Sequence, residues 1–139
     1  MPSDQVYSDF AYKLSKAGTP QGRTDDYTKN SMVRLYQPII EAVAKFDEIL
    51  KFQHKELGLS GEINRIDRKN YSITYVIAIQ HEQGVVPLPL VLSENGITAT
   101  QGALAQLGDH NDGRWNVDKI DDFIQALSKS ILVTLGIEK

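Results

Sequence analysis

The run richest in chemically capable side chains is "GDHNDGRW", from Gly108 to Trp115. Gly108 and Gly113 bracket four residues and Arg114 follows, a spacing superficially like that of a phosphate-binding loop. The Lys-Ser/Thr pair that such a loop needs is missing, and Asp109 and Asp112 would repel phosphate. Calcium fares no better. The Asp and Asn side chains do not alternate ahead of a glycine, and no glutamate closes a twelve-residue frame. Asn111, Asp112 and Gly113 are good turn residues, so the run is expected to be a turn leading into the last helix.

His54, His81 and His110 are the only histidines, and none stands at metal-binding helical spacing. They fall at a helix end, a strand end and a loop. Only convergence in space, with Asp109 or Asp112, would make a metal or acid–base centre of them. Ordinary surface histidines are the expectation, and no metal is assigned. With no cysteine, disulfides, thiolate nucleophiles and cysteine-ligated clusters are excluded. No nucleophile elbow surrounds any serine. Glu41, Asp47, Glu48 and Glu56 read as the solvated face of a helix. No catalytic residue and no cofactor follow from the sequence, and an enzyme is unsupported.

Two binding readings need more than one element. A small ligand could sit between helices and sheet against Tyr36, Tyr75 and Trp115, with His110 and Asp112 at the mouth; plain core packing competes for the three aromatics. Nucleic acid has one local argument, the hairpin "NRIDRKNY", where Arg65, Arg68 and Lys69 stand beside Tyr71. Glu62 and Asp67 dilute that patch. Fifteen basic against eighteen acidic residues give a net charge of -3, which is not the surplus of a phosphate-gripping protein. Nucleic acid is not the expected partner.

The elements that would carry these residues are legible from periodicity. At 139 residues, 41% hydrophobic and 24% charged, the chain has the size and composition of one globular domain. Residues 3–16 form an amphipathic helix, with Ser3 as N-cap and Val6, Phe10 and Leu14 on one stripe that Tyr7 and Ala11 widen. Gly18, Pro20 and Gly22 mark a flexible link, so residues 1–29 are expected to be an arm and residues 30–139 the α+β domain. A long helix follows from Ser31, with Met32, Tyr36, Ile39, Val43, Phe46 and Leu50 on one face and Gly58 as its stop. Pro38 either kinks it or starts it afresh, the plain break being favoured.

From Leu59 the period becomes two, and three to four antiparallel strands are expected over about 59–100. Asn95-Gly96 predicts a two-residue hairpin turn. "TQGALAQLG" reads as a short helix. The last helix, about Val117 to Leu135, packs on one sheet face through Ile120, Phe123, Ile124, Leu127 and Ile131. The class is α+β.

The strand "VVPLPLVLS" holds the main clue. Pro87 and Pro89 lie two apart, so both missing donors fall on one side, and the strand is expected at an edge or bulged there. Val86, Leu88, Leu90 and Leu92 make the core face. The other face, Val85, Pro87, Pro89 and Val91, continues into Val76 and Ala78 of the preceding strand without a charge. A solvated face would normally carry lysine or glutamate, so something is expected to cover it: the N-terminal helix, a second copy of the chain, or another protein. The sequence therefore points to a non-catalytic interaction module, with a homodimer as a natural outcome. "MPSDQVYSDF" lacks a signal peptide's basic region and apolar run, and no apolar segment is long enough to span a membrane. The cytoplasm is the expected compartment.

Overall fold

A computed structural model describes residues 2–16, 24–108 and 110–138, with the side chains of residues 2, 3 and 14–16 outside that description. The link glycines, Asp109, the Ser3 cap and the Leu14 side chain therefore lie outside the described residues. Among the described residues the fold is α+β, with four α-helices and an antiparallel sheet of five strands instead of three to four.

Helix α1 spans Pro2–Lys16 and α2 spans Asp25–Leu35. Thr24 caps α2 by accepting the Tyr27 N–H at 3.0 Å, and Asp25 and Asp26 sit at the positive end of its dipole. Residues read as part of the link, Thr24 to Lys29, thus begin a helix, and Thr28 is buried. Helix α3, Gln37–Gln53, follows after a break at Tyr36, with Pro38 in its first turn. A proline there costs nothing, because that N–H has no intrahelical acceptor. Helix α3 ends at Gln53, well before Gly58, which instead opens the first strand.

Strands β1 (Gly58–Asp67), β2 (Ser72–His81), β3 (Gly84–Ser93), β4 (Gly96–Ala99) and β5 (Arg114–Asn116) pair in sequence order. A bulge between Ile63 and Arg65 interrupts β1. Helix α4, Ile120–Thr134, follows a 3-10 turn at Val117–Lys119, and "ALAQ" forms a second 3-10 turn at Ala103–Gln106. The β3–β4 connection is a bend at Glu94 and Asn95, with Gly96 already in strand and neither Asn95 nor Gly96 at positive φ. Gly96 is needed there for close approach: a Cβ would collide with the Trp115 carbonyl on β5.

One core holds Met32, Tyr36, Ile39 and Val43, the inward residues Leu59, Ile73, Tyr75, Ile77, Ile79, Leu88, Leu90, Leu92 and Ile97, and Phe123, Leu127 and Ile131 of α4. Helices α2, α3 and α4 therefore bury their apolar stripes on the same side of the sheet. Among its described side chains, helix α1 contributes none to that core.

The proline strand, expected from its sequence at an edge or bulged, is instead an interior strand. It lies between β2 and β4. Its pairing with β2 is unbroken, Pro87 opposite Ala78 and Pro89 opposite Val76, so neither nitrogen points at β2. They point to the β4 side, where the short β4 pairs only with Leu90, Val91 and Leu92. The prolines occupy the half of β3 that β4 leaves open, and no bulge is needed.

Candidate interaction surface

Register across the sheet fixes what its outer face presents. One row runs Arg65, Thr74, Val91, Thr98, Arg114 through all five strands. Towards the β2–β3 turn the rows are Glu62–Val76–Pro89, Ser60–Ala78–Pro87 and Gly58–Gln80–Val85. The six residues singled out from sequence, Val76, Ala78, Val85, Pro87, Pro89 and Val91, are thus one contiguous uncharged strip over β2 and β3. Val85 is 60% exposed and Val91 37%, Pro87 is exposed, and Val76, Ala78 and Pro89 are half-buried by their neighbours. Among the described strand residues, the charges on this face are Glu62, Arg65, Asp67 and Arg114, and the Asp67 carboxylate is tied to Asn70 by two hydrogen bonds. The two arginines bracket the Val91 row. No local motif reveals that pairing, because it depends on the register of five strands.

The edges are protected differently. At β1 the Leu59 N–H donates to Asp47 Oδ1 of α3 at 2.8 Å, and Lys51 donates to the other carboxylate oxygen at 3.0 Å. Asp47 therefore does more than decorate a solvated helix face. Burial works to raise its pKa, but the Leu59 N–H, the Lys51 hydrogen bond and the Lys51 charge together hold it below the ordinary carboxylate value. A carboxylate with a lowered folded pKa contributes stability that is complete above its unfolded value of about 4 and fades as pH falls through the folded one. Asp47→Asn should cost about 1–2 kcal/mol at neutral pH. The difference from the parent should shrink below about pH 4, which denaturant unfolding across pH would read.

The proposed pocket residues are dispersed. Tyr36, Tyr75 and Trp115 are core side chains. Burial pushes the Tyr36 hydroxyl up to about 12, and it donates to the Ser93 carbonyl at 2.5 Å. Tyr75 is accommodated because Gly61 has no Cβ to meet its ring. Trp115 stacks edge-on against Phe123 at 5.0 Å. His110 and Asp112 stay exposed in the loop before β5, where Asp112 accepts the Arg114 N–H at 3.1 Å. The basic hairpin is divided as well. Arg65 lies on the outer face, Arg68 and Lys69 are exposed in the turn, and Tyr71 stacks on Tyr27 of α2 at 6.1 Å. Its ring thus belongs to the helix side of the sheet.

Two of the three histidines do converge. His54, at the end of α3, and His81, at the end of β2, line one cleft of about 480 Å³ with Glu56, Glu82 and the residues that follow α4. Gln83 donates its N–H to His81 Nδ1 at 3.2 Å, which commits that nitrogen as an acceptor. Among the described residues no group of three or more His, Asp or Glu is placed to hold a metal ion. Nor is any helix among them long and apolar enough to cross a membrane. Compared with protein-family models, with curated proteins and with solved structures, the chain finds no match.

Proposed function

We propose that this chain is a non-catalytic protein-interaction module that binds through the outer face of its sheet, first of all to a second copy of itself. The observation that carries the reading is the uncharged strip over β2 and β3, which faces away from the core that α2, α3 and α4 fill. Apolar burial supplies the driving force, at about 25 cal/mol per Å² before the costs of association. A flat strip of valine, alanine and proline has no directional groups to satisfy, so a twofold copy of the same strip is a complementary surface. Arg65 and Arg114 flank it as the polar rim that such interfaces have.

The aromatic residues of the small-ligand alternative are already engaged in core packing, and the basic hairpin is split between two sides of the sheet. Neither alternative gains an observation in its favour. The test is light scattering across concentration for the parent chain and for Val91→Asp. Dimerisation is expected for the parent. Association should be weakened by about tenfold or more in the variant, because a carboxylate would be desolvated at the Val91 end of the strip. Thermal stability should change little, since Val91 is on the face away from the core. A variant that associates and melts like the parent would show that this strip is not the contact surface.

A further inference from the structure

The corner between β3 and β4 holds a chemically labile step. Six asparagines occur in the chain, and only Asn95 precedes a glycine. Asn95 is exposed in the bend, and no hydrogen bond among the described residues holds its side-chain amide. We infer that Asn95 is a site of spontaneous modification, where loss of ammonia and isomerisation of the main chain uncouple β4 and β5 from β3.

The chemistry needs only these two residues and water. The backbone nitrogen of Gly96 gives its proton to solvent base and attacks Asn95 Cγ. The new N–Cγ bond closes a succinimide ring, and the Cγ–Nδ2 bond breaks to release ammonia. Water then opens the ring at one of its two carbonyls. Opening at Cγ gives an ordinary aspartate. Opening at the main-chain carbonyl gives isoaspartate, in which the chain runs through Cγ and is one methylene longer. Any other following residue would set a Cβ beside the attacking nitrogen, which separates Asn95 from the other asparagines.

The fold leaves this step open and closes a similar one. The Gly96 N–H points to the β3 side, as that of Thr98 does, but lies beyond the last pair of that ladder, Leu92–Ile97. A local opening of the corner is therefore enough to bring the two groups together. Asp112–Gly113 could form the same ring with loss of water. There, however, Asp112 Oδ1 accepts the Arg114 N–H at 3.1 Å, and the Gly113 N–H donates to the Leu107 carbonyl at 2.6 Å. Both of its reacting groups are engaged.

The corner has no room for the added methylene. The Asn95 carbonyl accepts the Val117 N–H at 3.1 Å, and isomerisation moves that carbonyl group out of the main chain. Gly96 lies so close to the Trp115 carbonyl that even a Cβ would collide with it. Ile97, the next residue, is buried in the core. The longer chain must shift Gly96 away from β5 or draw Ile97 from its site, and either change loosens this margin of the sheet.

The test ages the folded full chain for days at mildly alkaline pH and follows every asparagine and Asp112 by peptide mapping and mass. Asn95 should convert ahead of the other five, faster as pH rises, while Asp112–Gly113 stays unchanged. Asn95→Gln should abolish the conversion at this position, because glutamine would have to close a larger ring. An unconverted Asn95, or Asn111 converting as fast, would overturn the proposal. A second arm isolates the isoaspartyl form by chromatography and compares it with freshly prepared Asn95→Asp, which adds the charge without the methylene. The isoaspartyl form should lose hydrogen-exchange protection at Ile97, Thr98 and Ala99 and unfold at lower denaturant than Asn95→Asp, whose protection there should match the parent. Equal protection and equal midpoints in the two forms would show that isomerisation does not uncouple the strands.

Discussion

Trp115→Ala should lower the unfolding free energy by about 3–5 kcal/mol. Trp115 is 3% exposed and belongs to β5, a strand of three residues. Its backbone is paired to β4 only from Gly96 to Thr98, so few ladder hydrogen bonds secure this margin of the sheet. The indole joins it to α4 through the edge-on contact with Phe123, at 5.0 Å and 85°. Truncation removes the buried ring area, leaves a cavity beneath α4 and deletes an aromatic pair worth about 0.5–1.5 kcal/mol beyond its area. Against a total stability of about 5–15 kcal/mol, a loss of that size is severe. Denaturant unfolding of the variant would give the loss, and hydrogen exchange would locate it. Exchange should quicken at Ile97, Thr98 and Ala99 before it quickens on β2. A loss under about 1 kcal/mol would mean that β5 is held by its loop and not by the indole.

The same indole shows where sequence periodicity stops being informative. Strands β2 and β3 run for ten residues each, long enough for alternation to declare both faces, and the inward set Ile73, Tyr75, Ile77, Ile79, Leu88, Leu90 and Leu92 is the core. A strand of three residues has no period to detect. Its flanks, Asn111, Asp112 and Gly113, carry genuine turn chemistry, with Asn111 and Gly113 at positive φ, so the segment reads as loop. The start of α2 is masked in a related way. Thr24, Asp25 and Asp26 are residues that serve turns and helix N-termini equally well, and only the burial of Thr28 on the core side separates the two. Asp47 is a third case. Its i,i+4 spacing with Lys51 explains one hydrogen bond, but its partner on β1 arrives only when the sheet is assembled. On the outer face, composition and parity identified the uncharged strip, while the arginines that bracket it required the register of every strand.

The position of the prolines supplies the most discriminating substitution, because two valines on the same face of β3 should respond in opposite ways. Val85 and Val91 both direct their N–H groups away from β2, as Pro87 and Pro89 do. At Val85 that side is open, so Val85→Pro removes a donor from solvent alone and should shift stability by no more than about 1 kcal/mol. At Val91 the same side faces Thr98 of β4. Val91→Pro withdraws the donor between the two strands, sets a ring against β4 and leaves an acceptor short of its partner, for an expected loss of about 2–3 kcal/mol. The damage should spread to β5, whose only strand neighbour among the described residues is β4, and the Trp115 fluorescence should report it. Equal and large losses at both positions would mean that the open half of β3 is paired in solution, as it would be if a second chain added a strand there. Equal and small losses would mean that β4 is held by Ile97 and Ala99 in the core instead of by its ladder to β3.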